Sequence, residues 1–347
     1  KILLASSALV LVGGTAFAEV KLKGEAAMGV VGGSYENEFT GVDIDDDTQF
    51  WTDFNIIFTL SGATDGGVSF GASTELADLV ENGGISQTED SDFSVFVKGD
   101  FGTVTMGDTD GAFDKYMQDT NFGLSGTLND NEEHLGYSGM SLLDGFYDGQ
   151  IARYDYAFGD FAFGISAELD DDADDEANDP EEYDDPMMGV GAKYSMDLGG
   201  GSVSFGAAYQ GAEDTYLAGI SAAGTFGGFS AGIAYFDGEV DGLVVGPNSD
   251  DTNYELKVTA SQADGTETDI SYVGGSLAYT FDAITVGVNG GKYDIESVDD
   301  AYGYGITAGY DLGGGLVLQA GYGYGKLKAD GVEATLDTYS FGVAMEF

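Results

Sequence analysis

From residue 20 onward, apolar and polar positions alternate with a period of two. In Val20-Lys-Leu-Lys-Gly-Glu-Ala-Ala-Met28, one face is Val20, Leu22, Gly24, Ala26 and Met28, and the other carries Lys21, Lys23 and Glu25. The same alternation returns at 54–60, 68–72, 93–98, 161–168, 203–209, 229–235 and 316–324. Such runs predict strands whose two faces meet different surroundings. Seven tight connections lie between them: Thr64-Asp-Gly-Gly67, Gly99-Asp-Phe-Gly102, Phe158-Gly-Asp-Phe161, Leu198-Gly-Gly-Gly201, Phe226-Gly-Gly-Phe229, Phe281-Asp-Ala283 and Asp311-Leu-Gly-Gly-Gly315. Glycine supplies the positive φ that such hairpins need. Seven hairpins give fourteen strands, and a first and a last strand raise the count to sixteen. The alternate connections read as long and polar, for example 32–47, 170–186 and 237–251. Segment 252–268 also alternates, in Tyr254-Glu-Leu-Lys-Val-Thr-Ala260. Counting it as wall would upset the alternation of turns, so it is expected to be a hairpin within a long loop.

The second face of these strands is mostly small: Ser69, Gly71 and Ser73; Gly189, Gly191, Lys193 and Ser195; Gly303, Gly305, Thr307 and Gly309. Side chains of this size do not fill a core but do line a water-filled lumen. In a bilayer every backbone N–H and C=O needs a partner, so strands with a lipid-facing side close into a ring. The expected fold is therefore all-β, a 16-stranded antiparallel transmembrane barrel with short turns on the periplasmic side and long external loops. The aromatics sort the same way. Phe101, Phe158, Phe161, Phe226, Phe229 and Phe281 flank tight turns, whereas Tyr209, Tyr216, Tyr235, Tyr293, Tyr302, Tyr324 and Tyr339 lie near the long connections. Two girdles are the signature of a membrane barrel. In the last strand, Tyr339, Phe341, Val343, Met345 and Phe347 are expected to face lipid and to close the ring against 20–28.

Composition narrows the classes. There are 62 acidic residues against 11 basic, a formal charge of -51, so nucleic acid is not an expected partner. Disorder is argued against by 43% hydrophobic residues in regular spacing. The absence of Cys removes disulfides and thiolate metal sites. Lys1, the apolar run 2–12 and Ala16-Phe-Ala18 read as a secretory signal peptide over 1–18, leaving a single domain over 19–347 beyond the inner membrane.

Five pieces in order carry a resemblance: the leader Ile2-Leu-Leu-Ala-Ser-Ser-Ala-Leu-Val, the start Glu19-Val-Lys-Leu-Lys-Gly-Glu25, Phe101-Gly-Thr-Val-Thr-Met-Gly-Asp108, Ala152-Arg-Tyr-Asp-Tyr-Ala-Phe-Gly-Asp-Phe161, and the terminal Phe347. In these the chain resembles the general porins of purple and related alphaproteobacteria. The resemblance implies an outer-membrane homotrimer of sixteen-stranded barrels that passes ions and small hydrophilic solutes. It implies a third external loop folded into the lumen, here 109–148. It also implies that a final aromatic strand ending on Phe347 is read by the barrel-insertion machinery, and that lipopolysaccharide surrounds the external side.

Within that frame the loop acids Asp110, Asp114, Asp119, Asp130, Glu132, Glu133, Asp144 and Asp148 are the expected constriction residues, with Lys115 and His134 beside them. Lys21, Lys23, Lys98, Arg153 and Lys193 are expected on the pore wall. Porins resembling this one set acids against wall cations, and charged walls select ions by sign. With a single Arg in the chain, the expectation here is a cation-preferring pore. No cofactor is required; a Ca²⁺ held by Asp108, Asp110 and Asp114 is the metal expectation, with Asp43-Ile-Asp-Asp-Asp47 and the acidic run 168–185 as further acidic loops. Two G-x-S-x-G matches, Gly67-Val-Ser-Phe-Gly71 and Gly228-Phe-Ser-Ala-Gly232, fall in alternating strands rather than on a strand–turn–helix, so no enzyme is expected. His134 is expected to be an exposed loop residue. The alternatives are a substrate-specific channel and a non-conducting structural or adhesive barrel.

Overall fold

The structure, a computed structural model, describes residues 19–44, 48–76, 93–128, 134–147, 150–169, 185–212, 215–250, 253–260 and 266–347. The leader expected at 1–18 lies outside them. The strands are β1 (Glu19–Asn37), β2 (Val42–Ile44), β3 (Gln49–Ala63), β4 (Ser69–Leu76), β5 (Phe93–Gly99), β6 (Gly102–Gly107), β7 (Ile151–Phe158), β8 (Phe161–Glu168), β9 (Met187–Asp197) and β10 (Gly201–Ala212). They continue as β11 (Thr215–Phe226), β12 (Phe229–Val240), β13 (Leu243–Asp250), β14 (Asn253–Ala260), β15 (Thr268–Phe281), β16 (Ile284–Ile295), β17 (Asp300–Gly313), β18 (Leu316–Ala329) and β19 (Val332–Glu346). One short helix among the described residues, α1 (Ala112–Tyr116), lies between β6 and β7.

Sixteen of these strands, β1, β3 to β12 and β15 to β19, pair antiparallel with their neighbours into a closed barrel. β1 closes it by pairing on both sides, with β3 through Glu19 to Val31 and with β19 through Glu25 to Asn37. The partner of the last strand is thus displaced from the expected 20–28 toward the loop end. Closure requires the strands to tilt and the register to stagger, so a strand meets its two neighbours at different heights. All seven tight turns are found where the alternation put them. At the opposite end the expectation of long loops holds only in part. The connections at 213–214, 296–299 and 330–331 are as short as the turns. Asp330 and Gly331 both have positive φ (50° and 82°), the two-residue turn that Asp-Gly favours. Segment 252–268 does contribute half of a hairpin: β14 pairs with the upstream β13, from Leu243↔Ala260 to Asp250↔Asn253, apart from the barrel sheet.

The outer surface is apolar and exposed all round, with Leu22, Leu60, Phe70, Ile165, Ile220, Leu277, Ile306 and Phe341 among its members. A band of this kind has no place in water and matches hydrocarbon. Phe101, Phe158, Phe161, Phe226, Phe229 and Phe281 form an exposed girdle at the tight-turn end, with Phe158 stacked on Phe161 at 5.7 Å. Tyr209 and Tyr216 stack near the other end. Tyr293 does not belong to that girdle. It is buried inside the barrel, because its register partner Tyr272 faces the lumen.

The inner face also differs from expectation. On the β11 to β19 side, Leu217, Phe236, Val240, Ile270, Tyr272, Tyr293 and Leu327 point inward and are buried. They pack with Phe113, Met117, Leu135, Met140 and Leu143 from the β6–β7 connection. Burying one such side chain contributes about 1.5–3 kcal/mol. The lumen therefore carries a packed core along one side and is not water-lined throughout.

Candidate functional site

The long connection from β6 to β7 runs inside the barrel, and its path is set by glycines on the wall. A Cβ on Gly191 would lie 2.7 Å from Tyr116 Cβ and inside contact distance of the Ala112 carbonyl. At Gly219 it would meet Met117 and Phe113, at Gly232 Phe122, at Gly287 Leu124, at Gly309 Ser125, and at Gly29 and Gly342 Leu128. These positions follow the wall from β9 round to β1. The small inward residues read as a water-lined wall are thus, on this side, the bed on which the loop lies. Side-chain donors on the wall fix it in place: Ser276 Oγ donates to the Phe122 carbonyl at 2.9 Å, and Gln319 Nε2 donates to the Ser125 carbonyl at 2.9 Å. The loop then returns one level higher, where Tyr272 Oη donates to the Gly136 carbonyl at 2.8 Å and Tyr293 Oη to the Tyr137 carbonyl at 3.2 Å.

Helix α1 opens this path. Its N-cap, Gly111, has no side chain to satisfy the first N–H groups. Neighbouring elements do so instead. Gly111 N–H donates to Asp144 Oδ2 at 2.7 Å, and Ala112 N–H donates to Ser166 Oγ at 2.8 Å. The Gly111 bond ties the end of the loop to its beginning, and Asp144 also accepts from Gln210 Nε2 of β10 at 3.0 Å, which ties both to the wall. Tyr116 Oη donates to Asp155 at 2.9 Å.

The loop acids Asp110, Asp114, Asp119 and Asp144 interact electrostatically around α1. Burial, then the charges of Asp119, Asp144 and Asp110, push the Asp114 carboxyl up to about 8. Burial first and the charge of Asp110 second raise Asp119 to about 6. Asp144 is raised to about 6 by burial, against the opposing hydrogen bonds from Gly111 and Gln210. Asp130, Glu132, Glu133 and Asp148 lie outside the described residues.

The wall cations are scattered rather than gathered opposite these acids. Lys21, Lys23 and Lys98 face the lumen near the tight-turn end, where Lys21 lies 3.7 Å from Glu19 and Lys23 pairs with Glu25 and, at 3.8 Å, Glu346. Lys98 is one residue from the turn at Gly99. Lys193 sits below α1 and interacts with Asp119 and Lys115. Arg153 is only 5% exposed and does not present its charge to open lumen. Its Nε donates to both Asp155 oxygens at 3.0 and 3.2 Å. Its Nη1 donates to Thr109 Oγ1 at 3.2 Å and to the Asp110 carbonyl. Arg153 thus fastens the start of the loop. Arginine's planar fork suits several acceptors at once, but the alternation that put it on the inner face said nothing of what covers it.

One further expectation changes. His134 is buried: Nε2 lies 3.2 Å from Asn289 Oδ1 and Nδ1 has no hydrogen-bond partner among the described residues. Burial lowers its pKa to about 4, against the opposing bond to Asn289. Among the described residues no group of three or more His, Cys, Asp or Glu side chains is gathered to hold a metal ion. Ser69 and Ser230, the central residues of the two G-x-S-x-G matches, are both within strands.

A family model of Gram-negative porins matches residues 5–330. The chain belongs to that porin family. It is 31% identical over 313 residues to a porin of Rhodobacter capsulatus, covering 87% of this chain and 93% of that protein. A solved porin structure is similar over 95% of this chain and all of its own, with 28% identity and a TM-score of 0.66. A triple mutant of the Rhodopseudomonas blastica porin shares the fold at a TM-score of 0.57 and 20% identity, over 94% of this chain and all of that one. The porin is therefore an outer-membrane barrel that serves as a diffusion channel, and its long β6–β7 connection is the element folded into that channel.

Proposed function

We propose that this porin is a cation-preferring general diffusion channel for ions and small hydrophilic solutes, with the acids around α1 as its selectivity residues. The carrying observation is the imbalance at the depth of the helix. Asp110, Asp114, Asp119 and Asp144 gather there against two ammonium groups, Lys115 at 3.4 Å from Asp110 and Lys193 near Asp119, while Arg153 is covered and already paired and Lys21 and Lys23 have carboxylate neighbours near the far end. Glu25, Asp53 and Glu75 add inward-facing acids on β1, β3 and β4. The reversal potential in a KCl gradient tests the reading. A potential of the sign set by faster cations is expected; one set by faster anions overturns it.

The assembly belongs to the same proposal: a homotrimer, placed among lipopolysaccharide by the barrel-insertion machinery. An outward patch supports the trimer. Tyr302, Tyr304, Tyr322 and Tyr324 cluster on β17 and β18, beside the outward carboxylate of Asp337, which accepts from Tyr322 Oη at 2.6 Å and Ser34 Oγ at 3.3 Å. A carboxylate turned toward hydrocarbon is costly, whereas a protein neighbour accommodates it. No covalent chemistry is part of this reading, since His134 bonds Asn289 and Ser69 and Ser230 lie in the wall.

A further inference from the structure

We propose that the β13–β14 hairpin is a second selectivity element, docked inside the loop end of the barrel, with Lys257 as its charged residue. The proposal rests on the channel function but not on the sign of its selectivity. β13 and β14 pair only with each other and form a sheet separate from the barrel. A lone two-stranded hairpin is marginal in water and needs packing to persist. Here the packing is inside the barrel. Leu256 is 4% exposed and belongs to the lumenal core. Its Cδ1 lies 3.6 Å from where a Cβ on Gly325 of β18 would be. Leu243, Val245, Val258 and Ala260 lie against the same core.

The strand period then decides what the other face does. With Leu256, Val258 and Ala260 turned to the wall, Lys257 and Thr259 are exposed on the opposite side. Both line a cavity of about 650 Å³ that the hairpin shares with the in-folded loop and with β1 and β19. The charged side chains on that cavity are the carboxylates of Asp119 and Asp144 and one ammonium, that of Lys257, since the Asp337 carboxylate is turned to the outer face. In a chain whose single arginine is covered, Lys257 adds to the wall cation Lys193, which interacts with Asp119, a second cation carried by a second loop. Fixed charges act on passing ions within a Debye length of ~8 Å at physiological salt, so Lys257 is placed to oppose the loop acids there.

The chain has no cysteine, so single cysteines report cleanly. The full channel is reconstituted in planar bilayers as Leu256→Cys, Thr259→Cys and Lys257→Cys, and treated with water-soluble methanethiosulfonates. Docking predicts that Thr259→Cys reacts at least about tenfold faster than Leu256→Cys, which is reached only by local opening. An anionic adduct on Lys257→Cys is expected to raise the cation-to-anion permeability ratio about two- to threefold, and a cationic adduct to restore the parent value. Equal reaction rates at 256 and 259 would overturn docking. Identical permeability ratios for the two adducts would overturn the role of the charge. Absence of current from the parent channel would overturn the channel function itself and this proposal with it, an outcome distinct from conducting channels whose selectivity does not move.

Discussion

Arg153→Met removes the side chain that fastens the start of the in-folded loop. The guanidinium is 5% exposed, and Asp155 at 3.0 Å is left without its ion partner. The Asp155 pair lies within β7 and is present whether or not the loop is docked. Docking loses the bonds from the guanidinium to Thr109 Oγ1 and to the Asp110 carbonyl, and hydrogen bonds to a charged group contribute ~1.5–3 kcal/mol, so about 3 kcal/mol falls on the docked state of the loop start. A loss of about 3 kcal/mol raises the open fraction of that segment on the order of a hundredfold. Trypsin reads this at Lys115, which lies inside α1 and must unwind to be cut. Cleavage in the native porin should rise with the open fraction while the barrel remains heat-resistant. Arg153→Lys keeps the charge but not the fork and should fall between the two. Cleavage at Lys115 in Arg153→Met indistinguishable from that of the parent would refute the anchoring role.

Four other outcomes are expected. Gly191→Val pushes against Tyr116 and the Ala112 carbonyl, costing ~1–3 kcal/mol of loop docking, and should lower single-channel conductance as α1 is lifted into the passage; Gly191→Ala should do the same to a smaller extent. Cation preference should increase from pH 5 to pH 9 as Asp119 and Asp144 ionise near 6 and Asp114 near 8; Asp114→Asn should remove the alkaline part of the rise in reversal-potential measurements. His134 is held below its ordinary pKa of 6.5, to about 4, so it contributes about 3 kcal/mol of docking free energy that is fully present above pH 6.5 and lost as pH falls through 4; proteolysis of the loop at pH 3.5 should exceed that at pH 7.5, and His134→Gln should flatten the difference. Phe347→Ala removes a ring that packs on Gly24 and should reduce the amount of barrel recovered from outer membranes while leaving the conductance of inserted channels unchanged.

Much of the wall was legible because a strand between lipid and lumen must alternate. Leu22 and Met28 are exposed outward as the pattern requires, and glycines at turns such as Gly227 and Gly314, at φ of 59° and 69°, mark where the chain reverses. The stagger at closure was not legible, since tilt is a property of the ring and not of one strand. The tight turn at Asp330-Gly331 is legible by its chemistry, and it breaks the alternation of short turns with long loops. The fate of Arg153 and His134 was hidden for a different reason. Alternation tells which way a side chain points but not whether another segment then covers it. Their burial depends on contacts between residues 44 and 155 positions apart, which no local period records.

The inner glycines join these two kinds of information. A wall bathed in water tolerates serine or threonine at an inward position, as at Thr59 and Ser73, whose hydroxyls bond each other across β3 and β4 at 3.2 Å. A wall that carries another backbone does not, because a Cβ occupies the space of the loop. Gly191, Gly219, Gly232, Gly287, Gly309 and Gly342 lie on successive or nearly successive strands, each under a different loop residue between Ala112 and Leu128. Their order along the chain is the order in which the loop crosses them. The inward glycines therefore mark, in one dimension, the part of the lumen that the loop occupies. The loop thus covers the wall from β9 round to β19, and a change in loop charge acts on permeating ions from that side.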